Sequence, residues 1–149
     1  MHIMVHGASG RMGQLICAAA GNEVVARISP DYPANENGCW QTLSAYQGPA
    51  DCVIDFSHHS ATGTLLEYCL ARRLPLLIAT TGQTEQERHQ IEAAAAVIPV
   101  FFASNYSLGI AVLTDLARRA AAMFPDADIE IVEMHHNQKL DVPSGTALT

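Results

Sequence analysis

The chain has 149 residues, enough for one well-buried core, or one domain and part of another. Hydrophobic residues make up 49% and charged residues 15%, a globular balance rather than a disordered one. A net charge of −7 argues against a general nucleic-acid or anionic-membrane surface, and no apolar run approaches the eighteen residues of a membrane span.

In chain order, short apolar runs alternate with helical patterns. Residues 2–7 (HIMVHG) predict a strand, and 10–21 a helix ended by Gly21. A second strand is expected over 23–29. Turn formers dominate 31–50, which reads as a loop with a short helical piece. Residues 51–57 predict a third strand and 60–73 a helix with Leu65, Leu66, Cys69 and Leu70 on one face. Strand and helix follow over 74–82 and 84–97, then again over 98–105 and 108–124. The last helix carries its basic residues in its C-terminal half, where they favour the dipole. Residues 127–136 alternate apolar and polar, as a half-buried strand does.

Strands that are apolar throughout (VIDF, LLIA, VFFA) need helices on both faces. The expected fold is therefore α/β, a Rossmann-like doubly wound parallel sheet. PDAD at 125–128 marks the best boundary, dividing the chain into 1–125 and 126–149. The four cysteines are scattered without a CxxC and read as small buried thiols in a reducing cytoplasm. The N-terminus lacks the pattern of an export signal.

The first strand–helix turn reads GASGRMG, with Gly7, Gly10 and Gly13 three apart. Side-chain-free turns let phosphates approach the backbone, and the amides at a helix start attract negative charge. Arg11 adds a cation. A plain glycine-rich turn is the alternative; its position in the first βα turn favours a nucleotide. The fold calls for an acidic residue after the second strand, where Ser29, Pro30 and Asp31 stand, while Arg27 would suit a 2′-phosphate. The choice between NADH and NADPH stays open. DFS, ATTG and ASNYS end later strands at the same sheet edge, either as helix caps or as a polar crevice.

The last seventeen residues, EMHHNQKLDVPSGTALT, concentrate proton-handling groups. Adjacent strand residues face opposite ways, so His135 and His136 do not form a zinc clamp, and no metal is expected. Lys139 and the turn at Ser144, Gly145 and Thr146 offer a cation and an anion-binding backbone. Together they suit a carboxylate substrate that must be protonated; a surface loop is the bland alternative.

GASGRMG, VIDFS, ATTG, ASNYSLG and above all EMHHNQKLDVPSGTA resemble the 4-hydroxy-tetrahydrodipicolinate reductase (dihydrodipicolinate reductase) family along the whole chain. The resemblance implies NADH or NADPH delivering a hydride to a small cyclic dicarboxylate, in diaminopimelate and lysine biosynthesis. It implies a dinucleotide-binding domain over 1–125 and the start of an α+β substrate domain over 126–149. It implies a cytoplasmic enzyme, homotetrameric when full length, with no nucleic-acid or membrane partner. It casts His135 as proton donor and Lys139 as its catalytic partner, with His136, Ser144, Gly145 and Thr146 on the substrate. Gly7, Gly10, Arg11, Met12 and Gly13 fall on the cofactor phosphates. Thr81, Gly82, Ser104, Asn105 and Tyr106 fall near the nicotinamide. The family continues well beyond this length, so the chain reads as a piece of a longer protein, with a natural short form or a non-catalytic dinucleotide-binding module as alternatives.

Overall fold

A computed structural model describes residues 1–33, 37–134 and 137. The chain forms two compact units, Met1–Phe102 and Ala103–Thr149.

The first unit is built on a six-stranded sheet of order β3-β2-β1-β4-β5-β6, with every pairing parallel. The strands are β1 (Ile3–His6), β2 (Val24–Ile28), β3 (Cys39–Trp40), β4 (Cys52–Asp55), β5 (Leu76–Ile78) and β6 (Val100–Phe102). Helices α1 (Arg11–Ala20), α2 (Thr62–Arg72) and α3 (Glu85–Ala95) connect them. The expected doubly wound fold is what forms. β3 was not expected: it sits inside the turn-rich stretch and pairs with β2 only at Arg27↔Cys39 and Ile28↔Trp40.

β1 shows why its sequence is apolar throughout. Met4 joins a cluster with Ile28, Val53 and Ile78 and with Leu65, Leu66 and Cys69 of α2, as the helical spacing predicts. Ile3 and Val5 point the other way, into a cluster with Cys17 of α1 and Val24. A strand sandwiched so buries both its faces. Leu70 is only partly buried against the first cluster. All four cysteines are free; Cys17 and Cys69 are buried as expected, while Cys39 and Cys52 are half-buried.

The helix ends follow local chemistry. α1 stops at Gly21, whose φ of 53° suits a residue without Cβ. α3 starts with a capping box: the Thr84 hydroxyl accepts from the Glu87 amide at 3.2 Å, and the Glu87 carboxylate accepts from the Thr84 amide at 2.6 Å. From α2, the Arg72 guanidinium donates to the carbonyls of Tyr46 and Gly48 and to the Tyr68 hydroxyl, pinning the loop that leads into β4.

In the second unit, α4 spans Leu108–Met123. The Ser107 hydroxyl caps it by accepting from the Ile110 amide at 3.4 Å, and Asn105 Oδ1 accepts from the Ser107 amide at 2.7 Å. Arg118 and Arg119 stop short of the last turn, which holds no basic residue; Arg119 instead pairs with Asp115 at 2.9 Å. Residues 127–134 form no strand, although their alternation predicts one. Alternation alone does not make a ladder, and no described strand pairs with them. The expected strand's last residues, His135 and His136, lie outside the described residues.

Among the described residues, no helix is long and apolar enough to cross a membrane.

Candidate functional site

β1 has β2 on one side and β4 on the other, so the chain reverses its direction of winding between them. A crevice at the carboxyl ends of strands at such a switch point is where open α/β sheets take ligands. The buried polar residues His6, Ser29, Asp55 and Thr80 stand at or within two residues of the carboxyl ends of β1, β2, β4 and β5.

The glycine turn is tight in a way that only glycine allows. Gly7 has a φ of 78°, and a Cβ there would stand 2.5 Å from the Phe56 carbonyl oxygen. A Cβ at Gly13 would stand 2.2 Å from the Gly7 oxygen. Gly10 is less constrained, its nearest such contact being 3.3 Å. The amides of Gly7 and Ala8 both donate to the Ile28 carbonyl, at 2.9 and 3.1 Å, tying the turn to the end of β2. Arg11 and Met12 are exposed on the first turn of α1, whose leading amides have no intrahelical partner. This cradle fits a pyrophosphate.

Of the residues that follow β2, Asp31 is the acidic one. Its carboxylate accepts from the Ser9 hydroxyl at 2.6 Å and the Ser29 hydroxyl at 3.2 Å, and Ser29 itself is buried. Asp31 is thus anchored directly beside the glycine turn. Arg27 lies close enough to Cys17 for its charge to act on the thiol.

Beneath the turn lies a network centred on Asp55; DFS and ATTG, which supply Asp55, Ser57 and Thr80, were singled out in the sequence, but the pairing with His6 was not. His6 and Asp55 are the last residues of β1 and β4 and are register partners. His6 Nδ1 lies 2.8 Å from Asp55 Oδ1, with side-chain exposures of 10% and 2%. With the carboxylate ionised, Nδ1 is the donor. Asp55 also accepts from the Ser57 hydroxyl at 2.6 Å and the Thr80 hydroxyl at 3.1 Å. A carboxylate buried this deeply needs such a set of donors. Burial, followed by the nearby Asp55 charge, pushes the Cys69 thiol up to about 12, so it stays protonated. The usable signal was an ionisable residue at the last position of two apolar strands.

Thr81 and Gly82 follow β5, both exposed, with Gly82 at a φ of 87°. Next to them, the Gln83 amide donates to the Thr80 carbonyl at 3.0 Å and the Thr80 hydroxyl at 2.9 Å. Among the described residues, no donor reaches the buried Gln83 Oε1. Orphaned buried acceptors are rare, and one beside the crevice suits a ligand with N–H or O–H donors. His59 and Glu87 complete this flank: His59 Nδ1 lies 3.1 Å from Glu87 Oε2. The backbone amide of Thr84, followed by its hydroxyl and His59, holds the Glu87 carboxyl below its ordinary value.

Of the residues singled out in the sequence, Gly7, Gly10, Arg11, Met12 and Gly13 form the turn, and Thr81 and Gly82 stand at the end of β5 in the same unit. Ser104, Asn105 and Tyr106 belong to the second unit, just before α4. His135, His136, Lys139, Ser144, Gly145 and Thr146 lie outside the described residues. Among the described residues, no three His, Cys, Asp or Glu side chains converge as metal ligands.

Comparison with known proteins matches residues 1–106 to the family described as "Dihydrodipicolinate reductase, N-terminus" and residues 109–149 to "Dihydrodipicolinate reductase, C-terminus". A 4-hydroxy-tetrahydrodipicolinate reductase from Akkermansia muciniphila is 47% identical over 99% of this chain and 58% of its own length. One from Campylobacter jejuni is 45% identical over 99% of this chain and 59% of its own. Among solved structures, a dipicolinate-bound dihydrodipicolinate reductase from Paenisporosarcina sp. TG-14 superposes with a TM-score of 0.75 at 28% identity, covering 99% of this chain and 63% of that one. The chain thus spans about three-fifths of the length of these relatives.

Proposed function

The chain belongs to the dihydrodipicolinate reductase family, and from that premise we propose that it supplies the cofactor-binding part and the catalytic segment of a 4-hydroxy-tetrahydrodipicolinate reductase. The observation that carries the proposal is the glycine cradle at the switch point, with a buried polar floor beneath it and the HHNQKLDVPSGT segment later in the same chain.

When bound, NAD(P)H supplies the hydride that reduces 4-hydroxy-tetrahydrodipicolinate to tetrahydrodipicolinate, with loss of water, in diaminopimelate and lysine biosynthesis. The residues of this chain orient and compensate charge, since hydride transfer depends on the two reactants being held in register. Gly7, Gly10 and Gly13 admit the pyrophosphate to the backbone, with Arg11 and Met12 flanking it. Thr81 and Gly82, with Ser104, Asn105 and Tyr106, border the nicotinamide. His135 donates the proton that follows the hydride. Lys139, His136 and the Ser144–Gly145–Thr146 turn hold the substrate's carboxylates. In this reading the dinucleotide domain spans 1–125 and the substrate domain begins at 126. The working enzyme is a cytoplasmic homotetramer.

The cofactor proposed is NADH in preference to NADPH. Asp31 is fixed by two serine hydroxyls where the adenosine ribose comes to lie, and a carboxylate accepts from a 2′-hydroxyl but repels a 2′-phosphate.

His135→Ala tests the catalytic assignment. In the active enzyme, turnover is expected to fall at least about a hundredfold, as for loss of a general acid, with NADH affinity retained. Unchanged turnover removes His135 from the mechanism. A chain that binds NADH but supports no reduction under any condition would favour the non-catalytic module instead.

A further inference from the structure

His59 and Glu87 have no part in the roles assigned above, yet they form the most deliberately oriented ionisable pair on the nicotinamide flank of the crevice. Both Glu87 oxygens lie within reach of His59 Nδ1, at 3.2 and 3.1 Å. The helix does not need the histidine: the Thr84–Glu87 capping box is complete without it. What the carboxylate does for His59 is to fix the ring. A carboxylate only accepts, so Nδ1 is the donor to it, and in the neutral ring Nε2 on the opposite edge is a lone-pair acceptor. The His58 ring packs against it at a 39° tilt, with centroids 4.3 Å apart, and crowds the ring as well.

The ring packs beside the end of β5. His59 Cδ2, the ring neighbour of Nε2, lies 3.6 Å from where a Gly82 Cβ would stand. No described residue hydrogen-bonds to Nε2. The side chain is 30% exposed, so the nitrogen is reachable without being free to swing. An imidazole held by a carboxylate, with its acceptor nitrogen unpaired beside a glycine that leaves room, is set up to receive a hydroxyl.

Resting on the dinucleotide reading above, we propose that His59 is a binding residue for the ribose of the nicotinamide half, accepting a ribose hydroxyl at Nε2, and that Glu87 is its positioning residue. The adenosine half lies toward β2 and Asp31, across β1 from this point. Loss of His59 therefore weakens one half of the cofactor and leaves the other alone.

The test measures dissociation constants for NADH, reduced nicotinamide mononucleotide and ADP by calorimetry on the chain and on two variants. His59→Phe keeps the ring and removes the nitrogen. It is expected to weaken NADH and the mononucleotide by roughly five- to tenfold, the value of one hydrogen bond, with ADP unchanged. Glu87→Gln retains the cap through its amide oxygen and loses the charge on Nδ1; it is expected to weaken the mononucleotide by about two- to threefold, again sparing ADP. Mononucleotide affinity unchanged in His59→Phe overturns the proposal, as does an equal loss for all three ligands, the mark of a structural role. If the unsubstituted chain binds none of them, the dinucleotide reading itself fails, and this inference with it.

Discussion

The His6 imidazole meets the Asp55 carboxylate at 2.8 Å, across the last register pair of the two central strands. The pair lies directly under the glycine turn, since Gly7 follows His6 and its φ of 78° brings the chain against Phe56. Asp55→Ala leaves His6, Ser57 and Thr80 without their acceptor and is expected to cost about 3–5 kcal/mol in urea unfolding. His6→Ala leaves the carboxylate two hydroxyl donors and should cost less, about 1–3 kcal/mol. The double variant should lose less than the sum of the two. Strict additivity would show that the two side chains are not coupled.

Gly13 and Gly10 make a matched contrast. An added Cβ at Gly13 would meet backbone at 2.2 Å, so the turn must move; at Gly10 the nearest contact is 3.3 Å and φ is an ordinary −69°. Gly13→Ala is expected to raise the NADH dissociation constant at least about tenfold, in line with loss of tight backbone approach to the pyrophosphate. Gly10→Ala should have a clearly smaller effect. Equal effects would mean that closeness of the turn does not control binding.

These particular residues show what was legible in the sequence. β1, β2, β4, β5 and β6 announce themselves as apolar runs bounded by turn residues, and Gly21 and Thr84 mark helix ends by chemistry that acts within a few residues. β3 is two residues long and is held only by its neighbour, so nothing local reveals it. The strand pattern failed over 127–134 for the complementary reason: its alternation is local, whereas a ladder needs a partner, and no described strand pairs with these residues. The glycine turn could be read directly, because its constraint is backbone geometry. The His6–Asp55 floor showed only its two ends, an ionisable residue closing each apolar strand; their pairing depends on register between residues 49 apart.

Asp31 sets the cofactor prediction. The native protein should bind NADH more tightly than NADPH, and Asp31→Ala should shrink that preference by roughly tenfold or more, since a like-charge clash is worth kilocalories. Competition binding with the two dinucleotides measures it. A native preference for NADPH would remove Asp31 from the ribose site.

Glu87 gives a pH dependence with a definite sign. Its carboxyl is held below the ordinary value of 4.5, chiefly by the Thr84 amide. The unfolded chain therefore takes up the proton first as pH falls. The stability this contributes is complete above the ordinary value and is lost as pH drops through the lower folded one. Urea midpoints should decline more steeply with acid for the native chain than for Glu87→Gln. Parallel declines would contradict the assignment.

The central claim is that a dinucleotide lies along the carboxyl edge of this sheet, its phosphates on the first turn. Titrating NADH into the isotopically labelled chain, while following backbone amide resonances, tests that most directly. Shifts concentrated at Gly7 to Gly13 and at Thr80 to Gly82 are the predicted result. Saturable binding that leaves those amides unmoved, or no binding at all, would contradict it.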